Sequence, residues 1–220
     1  MTTAHPIDPG RTKDRSPRQV WYASYGSNMH LERLTYYIKG GRPPGASVTH
    51  PGCRDRDLPR RSIPVELPGT LFFATESRVW GGGRAFYDPH GEGRVLARAH
   101  LVSASQFSDI AAQEMYREPC GDLDLTEVLA TGVARLGDGR YETLVCPGQV
   151  DGLPVVTFTA PWGANDVPGT EPSSSYVRCL ALGLLEAGPW DAATVAAYVA
   201  SAPGAGVRWT AQAVRTLTGQ

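Results

Sequence analysis

Cysteine is scarce in this chain and never clustered: Cys53, Cys120, Cys146 and Cys179 are the only four in 220 residues. Without a C-x-x-C pair they argue against a zinc knuckle and a dense disulfide framework, and read as reduced thiols packing as small apolar groups. His-Glu-x-x-His is missing, and His5, His30, His50, His90 and His100 are dispersed. A zinc-dependent deacylase needs a His/Asp cluster, which is not visible, so no metal site is expected. There is no Gly-x-Ser-x-Gly elbow of an α/β-hydrolase. Nor does a Gly-x-Gly-x-x-Gly follow a strand, which removes the usual nicotinamide fingerprint. No apolar run approaches the roughly 18 residues of a membrane-spanning helix. The first eight residues lack the apolar centre of a signal peptide, so a cytoplasmic location is expected. Charge of one sign is absent too: 21 Lys and Arg face 22 Asp and Glu, a net −1. That balance asks for neither nucleic acid nor a membrane surface as partner.

What is present suits one packed domain, with 41% hydrophobic residues and an unusual load of 25 glycines and 18 prolines. Such punctuation predicts a loop-rich fold with many tight turns. Residues 1–17 are polar and proline-broken, and are expected to form a disordered lead-in. The domain is expected over 18–205, followed by a short C-terminal tail, 206–220. Residues 46–68 are read as an irregular loop in which Arg54, Arg56, Arg60 and Arg61 alternate with Asp55 and Asp57. Such a loop either cancels its own charge in solvent or binds an anionic part of a ligand. Strands are expected over 69–74, 94–102, 126–135, 141–147 and 153–159, with a hairpin turn at Gly137-Asp-Gly139. Ser173 and Asp191 mark the starts of two late helices.

Two stretches carry the chemistry. An apolar strand over 18–24 runs into Tyr25-Gly26-Ser27-Asn28, and Leu31, Leu34 and Ile38 then fall on one helical face. A strand feeding a helix through such a turn aims free backbone N–H groups at one spot, suited to an anion or a developing oxyanion. It is equally a plain capped helix start, and Ser27 has no evident His partner that would make it a nucleophile. The second stretch is a helix with Ser105 as its expected cap. Phe107, Ile110, Ala111 and Glu114 occupy i, i+3, i+4 and i+7, while Asp109 and Gln113 lie off that stripe. A carboxylate in an apolar stripe is either buried, with its pKa raised toward the range of a general base, or swings out to solvent near the helix end.

In that order, Tyr25-Gly-Ser-Asn28, Trp80-Gly-Gly-Gly83, Ala112-Gln-Glu-Met115 and the segment from Tyr176 to Gly188 resemble the gamma-glutamylcyclotransferase-like family, the last segment its bacterial members. The likeness covers roughly residues 18–200; the arginine-rich loop is outside the common pattern. It implies an α+β fold, a small, mostly antiparallel barrel-like sheet with flanking helices. It also implies a cofactor-independent enzyme of the acyltransferase or lyase kind. That enzyme cyclises a small γ-glutamyl amide or peptide to 5-oxoproline and a free amine. By the resemblance Glu114 is the general base. Tyr25, Gly26, Ser27, Asn28, Trp80, Gly81 and Gly82 would bind substrate. A hydrolytic amidase or deacylase using the same site, and a non-catalytic ligand-binding protein of the same fold, are the alternatives. No oligomeric state is implied.

Overall fold

A computed structural model describes residues 3–12, 14, 16–43 and 48–219. Six strands form one sheet in the order β2-β5-β1-β8-β7-β6: β1 is Gln19–Ser24, β2 Ser62–Pro68, β5 Arg94–Ser103, β6 Val133–Arg135, β7 Thr143–Val150 and β8 Leu153–Thr159. All neighbours are antiparallel except β1 with β8. Strands β3 (Thr70–Glu76) and β4 (Gly83–Asp88) make a separate hairpin. The chain is therefore α+β and mostly antiparallel, as expected, but its sheet is mixed and open at β2 and β6, not a closed barrel.

Alternation along β1 sets the layers, because successive strand residues face opposite ways. Trp21 and Ala23 join a core with Leu180, Leu184, Val195 and Val214, from α4 (Ser174–Ala187), α5 (Ala192–Ser201) and α6 (Ala211–Thr218). Val20 and Tyr22 join the opposite core with Leu34, Ile38, Phe107, Ile110 and Val128, from α1 (Leu31–Lys39), α2 (Ala104–Glu114) and α3 (Thr126–Thr131). Strand β1 is buried on both faces, which explains its unbroken apolar run.

Several expectations are corrected. The first half of 126–135 is helix α3, not strand; its β-branched residues mislead, while the Asp124 carboxylate accepts the Thr126 N–H at 2.9 Å and Gly132 at φ +95° ends it. Residues 62–68 are strand β2 and not loop. Pro64 disguises it, and a proline is tolerated there because β2 is an edge. The cap of α2 is Ser103, two residues before Ser105, in a reciprocal capping box with Gln106. The N-terminal lead-in is laid on the fold: His5 N–H donates to Pro64 O at 2.8 Å, and Asp8 and Gln149 exchange two backbone bonds. The C-terminal segment carries α6, whose neighbour Trp209 and whose Val214 are buried in the first core. Positions 44–47, the end of the glycine-proline stop after α1 and the start of the arginine-rich segment, lie outside the described residues.

Candidate active site

Helix and strand lengths bring the two singled-out stretches together. Helix α2 starts beside the beginning of β1, with Ala104 N–H donating to Arg18 O at 3.0 Å. Its eleven residues span about 16 Å at 1.5 Å each, close to the roughly 20 Å of the six-residue strand it runs along. Glu114, the last helical residue, thus arrives where β1 gives way to the turn. The Asn28 side-chain amide donates to Glu114 Oε1 at 3.2 Å across 86 residues of sequence.

The turn itself is a single 3-10 turn, Ser27–Met29, ahead of α1. Its first amides have no intrahelical acceptor, and no protein acceptor is found for Ser27 or Asn28 N–H among the described residues. It is held from three sides. Tyr25 O–H donates to Phe158 O at 2.7 Å. The buried His100 ring lies between Asn28 O (Nε2, 3.1 Å) and the Ser62 hydroxyl (Nδ1, 2.8 Å). A carbonyl can only accept, so Nε2 carries the proton and Nδ1 accepts from Ser62. Behind the turn, α4 presents Gly183, where a Cβ would sit 3.0 Å from Met29 Cβ and 3.2 Å from His30 N.

Turn and carboxylate line one cavity of about 280 Å³. Its floor is Tyr22, Asn28, Glu114 and Tyr176; its rim includes Val48–Pro51 and Tyr116–Glu118. Glu114 is half-buried, and its pKa is raised from the ordinary carboxylate value. Loss of hydration is the main cause, and hydrogen bonding from Tyr37 and the nearby Arg33 pull the other way, with Arg84 and Asn28 after them. Its place at the C-terminal end of α2, where the helix dipole is negative, acts in the same sense as burial.

The other expected residues divide. Gly26, Ser27 and Trp80 line the cavity, as does Tyr25, whose hydroxyl is spent on Phe158. Gly81 and Gly82 do not line it. The backbone explains Gly82: at φ +67° it lies against the strand-like segment at Pro172, and a side chain there would collide with the Glu171 carbonyl. Of the arginine-rich segment, Arg54 is tied to α2, donating to Asp109 Oδ1 at 2.9 Å, and Arg61 pairs with Asp151 at 2.9 Å. Neither reaches the cavity.

Sequence reasoning missed Arg33 and Arg84, both buried and both lining the cavity. Arg33 shares a face with Tyr37, one turn on, and that cation-aromatic i, i+4 pair was the available signal. His50 was also missed; its ring lies 4.1 Å from that of Tyr37, and burial, with Arg33 next, lowers its pKa to about 4. It is neutral at physiological pH. Among the described residues no group of three or more His, Cys, Asp or Glu is placed to hold a metal ion, and no helix is long and apolar enough to cross a membrane.

No family model matches the chain. Among curated proteins it is 29% identical over 221 residues to histone deacetylase 5 of Arabidopsis thaliana, a match covering 89% of this chain and 33% of that protein. The chain thus spans about a third of that relative's length. Solved structures similar to it include an uncharacterized human protein (18% identity, TM-score 0.45, covering 78% of this chain and 82% of that one). Another is a gamma-glutamyl cyclotransferase (17% identity, TM-score 0.45, covering 77% and 80%). At these values a functional reading rests on the site's own geometry.

Proposed function

We propose that the chain is a gamma-glutamylcyclotransferase-like enzyme that converts a small γ-glutamyl amide or peptide to 5-oxoproline and a free amine. The observation that carries this reading is the 3.2 Å contact between Asn28 and Glu114 inside one cavity. It joins an anion-binding turn to a carboxylate of raised proton affinity. Free N–H groups of the turn hold the substrate's α-carboxylate. Glu114 then takes a proton from the α-ammonium. The freed amine attacks the γ-carbonyl, closing a five-membered ring through a tetrahedral intermediate. That intermediate collapses by breaking the bond to the leaving nitrogen as Glu114 returns its proton there, and Glu114 then carries the second proton of the ring nitrogen to the released amine, which leaves as an ammonium. Atoms balance with no water and no cofactor. Ring closure within one bound molecule takes much of its advantage from orientation.

The test is product analysis on a panel of γ-glutamyl amines. 5-Oxoproline formation that disappears in Glu114→Gln supports cyclisation. Free glutamate in place of 5-oxoproline would show that Glu114 activates water. Absence of turnover, with ligand binding unchanged in Glu114→Gln, would leave a binding protein.

A further inference from the structure

Strand pairing lines up a series of polar groups between the sheet edge and Glu114. Ser62 opens β2, and the ladders set it opposite His100 of β5, which in turn sits opposite Tyr22 of β1. Cross-strand partners share a face of the sheet, so the Ser62 and His100 side chains meet. His100 is fully buried, and burial, with Arg98 next, lowers its pKa to about 3. The ring is therefore neutral and has one donor and one acceptor. With the proton on Nε2, the Ser62 hydroxyl donates to Nδ1 at 2.8 Å and Nε2–H donates to the Asn28 carbonyl at 3.1 Å. The Asn28 side-chain amide donates in turn to Glu114 Oε1 at 3.2 Å. Every donor in this series points toward the carboxylate.

The two links at His100 act in series, because a bond accepted at Nδ1 makes Nε2–H a stronger donor. The link through Asn28 is one of geometry. Its carbonyl has no other protein donor among the described residues. The next amide, Met29 N–H, donates to Gly26 O at 3.1 Å, so the peptide unit between Asn28 and Met29 is clamped at both ends. A clamped peptide fixes the direction in which the Asn28 side chain leaves the backbone. That direction matters, because Asn28 Oδ1 is buried with no donor among the described residues. Apart from Glu114, the amide has only a long 3.4 Å contact to the Tyr22 hydroxyl. The side chain is aimed by its backbone, and the backbone by His100.

With Glu114 as the base of the reading above, on which its catalytic meaning rests, we infer that His100 is a positioning residue that holds the Asn28 peptide so that the Asn28 amide meets Glu114. Ser62, on the sheet edge, fixes the tautomer that lets His100 do so. Loss of either weakens the bond that favours the Glu114 anion. Arg33 and Tyr37 of α1 and Arg84 of β4 act on the same carboxylate, and Tyr22 and Tyr176 feel its charge. These neighbours are common to every variant below, so a difference between variants reports the Asn28 contact.

The experiment reads Glu114 directly, by NMR titration of side-chain carboxyls in protein carrying isotope-labelled glutamate. The Glu114 resonance is the one missing from Glu114→Gln. His100→Met should move its titration up by about one pH unit, the size of one lost hydrogen bond to an anion. His100→Gln, whose amide can still donate to the Asn28 carbonyl, should restore most of the parent value. Ser62→Ala should give a smaller shift in the same direction, and in an Asn28→Ala background His100→Met should add nothing. An unmoved titration in folded His100→Met would overturn the inference, as would the full shift persisting without the Asn28 side chain. Should His100→Met not fold, Ser62→Ala decides: an upward shift supports the series and an unmoved titration overturns it. The titration needs no substrate, so the two readings fail separately. A shift in a protein that releases no 5-oxoproline would keep the positioning role and discard the reaction. Release of 5-oxoproline with an unmoved titration would keep the reaction and discard the positioning role.

Discussion

Helix α2 carries two enclosed carboxylates five residues apart, and they live in opposite circumstances. Asp109, fully buried, accepts from the Arg54 backbone N–H at 2.8 Å and from its guanidinium at 2.9 Å, and Arg54 in turn reaches Asp122. Glu114 accepts from the Asn28 amide at 3.2 Å and has Tyr37 beside it, and among the described residues no cation lies within ion-pair distance. Desolvation penalises a charge in both places, but only at Asp109 is the charge matched by a fixed partner. What separates the two sites is the partner, a fixed cation at Asp109 and none within ion-pair distance at Glu114 among the described residues. Asp109 staples the arginine-rich segment to the helix, and Glu114 is left to hold or release a proton.

That contrast can be broken at either end. The largest effect is expected from Glu114→Gln, which should lower 5-oxoproline release by about a hundred- to ten-thousandfold, the usual contribution of a positioned general base, while thermal unfolding still shows a cooperative fold. Arg54→Met attacks the other carboxylate. It should cost about 2–3 kcal/mol in denaturant unfolding, less than a fully enclosed pair because part of the guanidinium faces solvent. Unchanged stability would show that Asp109 does not depend on that partner. Asn28→Ala removes a hydrogen bond that stabilises the Glu114 anion. Turnover should fall about tenfold, and the acid limb of the pH–rate profile should move to higher pH. An unmoved limb would separate Asn28 from the proton transfer.

The smallest effect is on stability against pH. Glu114 has a higher proton affinity folded than unfolded, so the folded state binds more protons in the interval between the ordinary carboxylate value and the raised one. Its favourable contribution is therefore complete below the ordinary value and is lost as pH rises through the raised one. Relative to Glu114→Gln, the parent should lose stability across that window, read from chemical unfolding at several pH values. Parallel curves would mean that Glu114 titrates normally.

The stretch from Trp21 to Asn28 and the stripe of α2 were legible because each is governed by local periodicity and turn chemistry. Glu114 in particular declared itself by occupying a position that its helix reserves for apolar residues. Strand β2 was not legible, because Pro64 and the preceding arginines speak for a loop, and only the edge position in the finished sheet permits the proline. Helix α3 was misread since Val128 and Leu129 owe their conformation to burial in the second core, not to propensity. Arg84 was not legible, and Arg33 offered only its i, i+4 pairing with Tyr37, for a related reason. A lone arginine on a short helix or strand reads as solvated until tertiary packing encloses it. Gly82, a substrate-binding residue by the resemblance, lies instead against the backbone at Pro172, a contact that only the folded chain reveals.

The cavity has a rigid floor and a detachable rim. Behind the turn, Gly183 lets α4 seat against Met29 and His30, and His100 pins the Asn28 carbonyl, so the floor is built from strand, helix and sheet. The rim at Val48–Pro51 and Tyr116–Glu118 consists of connecting segments that carry no strand or helix. Loops of that kind accept insertions and exchanges that framework elements do not. On the proposed reading, ligand preference can change by rewriting these two short loops without disturbing the turn or Glu114.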